Sequence, residues 1–384
     1  MATDPRPVSP VSPVPSPSRG LMATLRDDVA HGVAAGLRGS PRAQVRRTLA
    51  ELEEFYVSSE RRARLARAGR LRRWLLRGWW LFHGLVMKLT PARRLLLAGA
   101  LISMSGVRFR GAQSGVDFTL DFQGLAVGLL LLVLALELKD KLVAHDELEA
   151  GRSVQQALMP ARAPEVPGWD VWMYTQSANE VGGDLVDYVP VDAQQTALVL
   201  ADVAGKGLSA ALLTAKLQAT LRALVTECGS LARLGACVNQ IMYRDGVRGR
   251  FATLVWLGLR AGDGQVRVLN AGHMPPLVVS PAGVTALPRG AMALAMVPAA
   301  EFREQAVTLA PGETLVAYSD GVTEAMNPER EFFGDQRLLH LLDGLRDGDA
   351  ATIGQAVVDA VRAFTAGAPA HDDLSIVVAK RVEA

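Results

Sequence analysis

Residues 180–213 read EVGGDLVDYVPVDAQQTALVLADVAGKGLSAALL, and this stretch decides the fold. Thr196–Val203 is an apolar run of strand length with Asp202 near its end. Gly205 and Gly207 then let the chain turn into Leu208–Glu227, which reads as a helix. An acid at a strand mouth beside a glycine turn recurs along the chain. Asp184 closes Glu180-Val-Gly-Gly-Asp, and Asp320 follows Leu315-Val-Ala-Tyr-Ser and precedes Gly321. Asp372 and Asp373 stand just before Leu374-Ser-Ile-Val-Val. One Asp-Gly at a strand end is ordinarily only a turn. Four such sites in one domain can converge on one sheet edge. Clustered carboxylates without compensating Lys or Arg in the same motifs repel one another, and hard divalent cations such as Mg²⁺ or Mn²⁺ remove that cost.

Around this stretch the texture is that of short strands alternating with helix pairs. Asp170–Ser177, Phe251–Leu259, Gln265–Asn270, Pro276–Val279, Phe302–Leu309, Thr314–Ser319 and Leu374–Lys380 read as strands. Ser230–Tyr243, Asp335–Leu345 and Ala350–Phe364 read as helices. The expectation is a layered α/β domain over 161–384. A hairpin from Leu259 to Gln265, turning on Gly262-Asp263-Gly264, argues against a doubly wound parallel sheet. No internal repeat is visible.

Further motifs accompany the two acidic segments: Val154-Gln-Gln-Ala-Leu-Met-Pro, Phe251-Ala-Thr-Leu, Asn270-Ala-Gly-His-Met-Pro-Pro-Leu, Tyr318-Ser-Asp-Gly-Val-Thr-Glu-Ala, Phe333-Gly and His371-Asp-Asp-Leu-Ser. Each is weak alone. In this order and spacing, over about residues 150–384, they resemble the SpoIIE/RsbU branch of the PP2C-type (PPM) serine/threonine phosphatases. The resemblance implies an αββα sandwich with two divalent metal ions, Mn²⁺ or Mg²⁺, at one edge. Carried over motif by motif, it implies Asp184, Asp202 and the Val203 carbonyl as metal ligands, with Asp320 and Asp372 completing the ligand set of the second metal. Asp373 is the weaker partner of its pair. It also implies hydrolysis of phosphoserine or phosphothreonine by metal-activated water, on a regulatory phosphoprotein of the anti-sigma-antagonist (STAS) type. The rival reading is a catalytically inactive, membrane-tethered module that docks a phosphoprotein. Ala295 stands where the family often has glycine, and no phosphate-holding arginine is identifiable.

The front of the chain differs in kind. Residues 1–20 are Pro/Ser-rich and read as a disordered tail without the apolar core of a secretory signal. Residues 21–92 read as a basic helical region. Arg61, Arg62, Arg64, Arg67, Arg70, Arg72, Arg73 and Arg77 form either a solvated face or a patch for anionic lipid, at about 1 kcal/mol per residue near the surface. Trp74, Trp79 and Trp80 suit a membrane interface. Two uncharged runs follow, Leu95–Val107 and Phe122–Leu136. Both are shorter than the roughly 20 residues of a spanning helix, so a buried core hairpin competes with the favoured reading, a two-helix membrane hairpin over 93–138. On that reading loop 108–121 lies outside and the catalytic domain lies in the cytoplasm at the bacterial inner membrane; the alternative is a wholly cytoplasmic protein. Residues 139–160 read as a linker or switch helix, through which two copies would pair, although its apolar stripe is thin. The front 150 residues match no familiar sensor module.

Composition agrees with this division. Of 384 residues, 49% are apolar and 21% charged, which excludes a wholly disordered chain. Residues 1–94 hold 18 Lys+Arg against 7 Asp+Glu, while the remainder holds 23 against 32. An acidic back part suits metal and argues against nucleic acid as its substrate. Two cysteines, Cys228 and Cys237, are too few for a disulfide scaffold or a thiolate zinc site. Gly205-Lys206-Gly207 lacks the spacing of a nucleotide-binding loop. His273 reads as structural rather than as a general acid, and His371 near the acids carries no assignable role.

Overall fold

The computed structural model describes residues 69–104, 109–113, 116–120, 123–247 and 249–383. Expectations for residues 1–68, including the Pro/Ser-rich tail and most of the arginine run, lie outside the described residues. The chain divides into two compact units at Leu138.

The first unit holds α1 (Arg70–Lys88), α2 (Pro91–Met104), a hairpin of β1 (Phe109–Gln113) and β2 (Val116–Leu120), and the start of α3 (Gln123–Leu158). The expected membrane hairpin is not shown. Among the described residues no helix is long and apolar enough to cross a membrane. α2 has 14 residues, a length of about 21 Å against a hydrocarbon core of about 30 Å. The expected outer loop is a β-hairpin. The second apolar run does not end as a span but continues without a break into the charged linker, as one helix of 36 residues. Arg93, near the start of α2, donates to the Glu137 carboxylate at 2.6 Å and to the Leu136 carbonyl.

The second unit is a four-layer sandwich. One antiparallel sheet has the order β10-β7-β6-β5-β4, the other β3-β12-β11-β8-β9. The strands of the first are β4 (Asp184–Pro190), β5 (Gln195–Val203), β6 (Ala252–Arg260), β7 (Gln265–Ala271) and β10 (Glu304–Thr308). Those of the second are β3 (Trp169–Gln176), β8 (Leu277–Ser280), β9 (Gly283–Ala286), β11 (Thr314–Tyr318) and β12 (Leu374–Arg381). Helices α4 (Leu208–Leu224) and α5 (Leu231–Asp245) cover the first sheet. The one-turn α6 (Asp320–Thr323) follows β11, and α7 (Gly334–Asp343) and α8 (Ala350–Thr365) cover the second sheet.

The two-residue period of a strand explains why both sheet faces are apolar. In β5, Ala197, Val199, Ala201 and Val203 pack toward α4 and α5, while Leu198 and Leu200 enter the space between the sheets. In β11, Leu315 and Ala317 face that same space and Val316 and Tyr318 face α7 and α8. Buried on both sides, these strands are nearly continuous apolar runs. β4 was not evident from its residues because DLVDYVP carries two acids. The second, Asp187, is buried and tied by its carboxylate to Arg222 at 2.7 and 3.0 Å and to Gln218 at 2.9 Å, which fastens β4 to α4.

Candidate active site

The antiparallel register of β4 and β5 sets Asp184 directly opposite Asp202. Like charges in that position destabilise a sheet, so the pairing calls for an external charge. β11 and β12 pair in the other sheet, and their ends bring Ser319-Asp320 and Asp372-Asp373 to the same edge of the sandwich. The electrostatics record the convergence. Burial first, and then Asp202, holds the Asp184 carboxyl well above the usual carboxylate range, with Ser375 and Ser319 hydroxyls partly offsetting it. Burial pushes Asp202 up to about 7, followed by repulsion from Asp320, Asp372 and Asp373 on the opposite sheet. Asp320 is raised by burial and then by Asp372.

Two glycines allow the backbone to enter this cluster. A Cβ on Gly183 would stand 2.9 Å from the Val203 carbonyl oxygen and 3.4 Å from an Asp202 carboxylate oxygen. A Cβ on Gly321 would stand 2.0 Å from the Asp373 carbonyl. The segment Gly182-Gly183 is thus pressed against an oxygen-lined wall, the environment a hard cation takes. Asp184 Oδ2 is buried with no hydrogen-bond partner among the described residues, which is costly for a carboxylate unless a cation meets it. Donor chemistry and charge therefore fit divalent metal. Among the described residues, however, no three His, Cys, Asp or Glu side chains are gathered closely enough to hold an ion as they stand.

The hydrogen bonds separate the adjacent acids Asp372 and Asp373. Asp373 is buried, and its carboxylate accepts from the amides of Ala178 (2.8 Å), Gly183 (2.6 Å) and Asp184 (3.2 Å). Three backbone donors occupy its oxygens, so Asp373 anchors the Gly182–Asp184 segment and is not placed as a free metal ligand. Asp372 is exposed at the cleft mouth, with one oxygen accepting from the Asp373 amide. Alternation along the chain entering β12 turns one acid inward and the next outward, a difference that two neighbouring Asp letters do not display.

Other residues take their places around this centre. The Val203 amide donates to the Gly183 carbonyl, as does the Thr214 hydroxyl from α4. Lys206 reaches from the β5–α4 turn to the His371 carbonyl at 2.6 Å, and Arg250 donates to the Ala204 carbonyl at 2.7 Å. Both cations brace loops at the acidic edge. His273 is buried, its Nδ1 lies 2.8 Å from the Thr253 hydroxyl, and burial lowers it to about 4. Its Nε2 is buried without a hydrogen-bond partner among the described residues. Missed from the sequence were Thr214, Ser319, Ser375 and the packing role of Gln155, although Gln155 sits inside a motif already singled out.

Comparisons with known proteins agree with this fold. The family profile described as Stage II sporulation protein E (SpoIIE) matches residues 192–382. Protein IcfG of Synechocystis sp. is 29% identical over 55% of this chain and 37% of its own length. Phosphoserine phosphatase RsbU of Bacillus subtilis is 23% identical over 61% of this chain and 70% of its own. The chain thus spans little more than a third of IcfG. Among solved structures, the SiaA-PP2C domain of Pseudomonas aeruginosa is similar with a TM-score of 0.57 at 21% identity, covering 64% of this chain and 98% of that one. At that identity the likeness concerns the fold.

Proposed function

From the premise that its sandwich domain belongs to the SpoIIE family of PP2C-type phosphatases, we propose that the chain is a metal-dependent protein serine/threonine phosphatase. One observation carries the reading: Asp184 and Asp202 stand opposed across β4–β5, and Asp320 and Asp372 meet them from the other sheet. In this proposal Asp184, Asp202 and the Val203 carbonyl hold one side of the metal site, and Asp320 and Asp372 the other. Divalent cations there, Mn²⁺ or Mg²⁺, supply charge neutralisation and a nucleophilic water at neutral pH. Asp373 keeps the Gly182–Asp184 backbone in place. Lys206 and Arg250 hold the adjoining loops, so that the acids keep their spacing while a phosphate enters.

A phosphoprotein substrate is supported by the phosphoserine phosphatase named among the relatives. The finer proposals are a STAS-type anti-sigma antagonist as that substrate and pairing of two copies through the helix ending at Leu158. The test is phosphate release from p-nitrophenyl phosphate and from a phosphoserine peptide by the full chain, with and without Mn²⁺, beside Asp320→Asn. Metal-dependent turnover lost in the variant supports the reading. Absence of both turnover and Mn²⁺ binding by calorimetry overturns it in favour of a docking module.

A further inference from the structure

Resting on that reading, we propose that Gln155 is a positioning residue for the metal site. It acts from the end of α3 on the backbone segment that carries Asp184. The Gln155 carboxamide closes a two-bond ring with one residue. Its Nε2 donates to the Gly182 carbonyl at 2.8 Å, and the Gly182 amide donates to its Oε1 at 3.1 Å. The side chain is buried, and it pairs with Gly182 as a neighbouring strand would.

The segment beyond it is fully committed. The Gly183 amide goes to Asp373, the Gly183 carbonyl accepts from Thr214 and Val203, and the Asp184 amide goes to Asp373. Gly182 itself has no room to move toward the acids, because a Cβ there would stand 2.4 Å from Asp373 Oδ2 and 2.6 Å from Ser177 Oγ. Every other clamp on Gly182–Asp184 comes from the sandwich; Gln155 alone, among the described residues, comes from α3.

The end of α3 is fastened at two more places. The Leu158 carbonyl accepts from Gln218, whose amide also donates to Asp187 in the middle of β4. The Leu208 side chain reaches within 3.2 Å of a Cβ position on Gly151. The end of α3 is therefore held at Gly182, at Gln218 and beside Leu208. Without Gln155 both polar groups of Gly182 are left buried and unpaired, and the Gly182–Asp184 segment loses its clamp from α3. Partners of ligating residues typically set metal affinity by about 10–100-fold. Gln155 does not touch the substrate, so it acts on metal affinity and not on the reaction at saturating metal.

The experiment uses the full chain stripped of metal. Mn²⁺ affinity is measured by calorimetry for wild type, Gln155→Met, Gln155→Glu and the exposed neighbour Gln156→Met, with thermal melts and hydrogen exchange at the Gly183 amide. Methionine keeps the length and loses both bonds; glutamate keeps the acceptor and loses the donor. The expected result is Mn²⁺ binding weakened about 10–100-fold in both Gln155 variants and unchanged in Gln156→Met. Gly183 exchange should be faster, and kcat on p-nitrophenyl phosphate should recover at saturating Mn²⁺ with KM unaltered. A merely structural role would lower the melting temperature and leave the Mn²⁺ affinity of the folded protein in place. Affinity within about twofold of wild type in a cooperatively melting Gln155 variant overturns the proposal, as does an equal loss in Gln156→Met. If Gln155→Met does not melt cooperatively, Gln155→Glu decides by the same criterion. A wild type that binds no Mn²⁺ overturns both this inference and the phosphatase reading, whereas normal Mn²⁺ binding in every variant overturns the inference alone.

Discussion

The front unit and the sandwich are both rich in apolar residues and use them in opposite ways. In the sandwich, Leu198, Leu200, Leu254 and Leu257 are sealed between layers. In the front unit, Leu95 is 75% exposed, Ile102 66% and Leu134 62%. The difference lies in pattern and not in quantity. A strand that alternates between two apolar partners has a layer waiting on each side. A helix apolar all around its circumference needs neighbours on every face, and the three helices and one hairpin among the described residues of the front unit leave those faces open. Apolar content by itself therefore says little about where a core forms.

The sharpest way to break that comparison is through activity. Asp320→Asn should lower Mn²⁺-dependent kcat on p-nitrophenyl phosphate by on the order of 10³-fold, as for other losses of charge stabilisation at a reacting centre. Its melting temperature should stay level or rise, because the variant removes mutual repulsion. Leu134→Ser in the front unit should alter neither quantity, and a comparable loss of activity there would show that the two units do not divide the labour this way.

Stability should separate the units next. Leu200→Ala or Leu257→Ala should cost about 2–5 kcal/mol in urea unfolding followed by tryptophan fluorescence. Leu131→Ala and Leu134→Ala should stay within about 0.5 kcal/mol. Similar costs in both places would mean that the front leucines are covered in solution. A smaller effect belongs to Asp187→Asn, expected to cost about 1–3 kcal/mol by leaving buried hydrogen-bond partners unmatched. It should leave Mn²⁺ dependence in place, since Asp187 faces Arg222 and not the acidic edge.

The smallest effect is a pH dependence of the metal-stripped sandwich. Asp202 is raised in the folded state to about 7, so folding favours its protonated form. That contribution to stability is fully present below the unfolded carboxylate pKa of about 3.9 and is lost as pH rises through about 7. Melting temperatures of metal-free protein should therefore fall between pH 5 and 8, and Mn²⁺ should abolish the trend. Asp202→Asn should show a flatter profile, and an unchanged slope in that variant would assign the trend elsewhere.

Much of the sandwich was legible because its strands obey a two-residue period and end at Gly, Pro or Asp. β4 escaped because Asp184 and Asp187 interrupt that period, and what makes them tolerable lies elsewhere in the chain: the opposing site acids for one, Arg222 and Gln218 for the other. The two uncharged runs did not by themselves show where their helices end. Glu137, Lys139 and Asp140 continue the same helix. Asp184, Asp202, Asp320 and Asp372 stood out by their places at strand mouths, and the fold carries those strand ends to one edge. The resemblance alone set Asp373 below Asp372, and the physical difference lies in the amides of Ala178, Gly183 and Asp184 that occupy Asp373.

Sequence alone determined the alternation that makes two double-faced sheets, the acids at strand ends, and the family those motifs resemble. These are local properties, set by side-chain period and by the turn chemistry of glycine. Tertiary structure decided what no window of residues contains. It chose the register that opposes Asp184 to Asp202, the stacking that carries Asp320 and Asp372 to the same edge, and the docking that sets Gln155 on Gly182. Each of these joins groups distant along the chain. Their separation is fixed by packing between layers, and a linear pattern has no term for that distance.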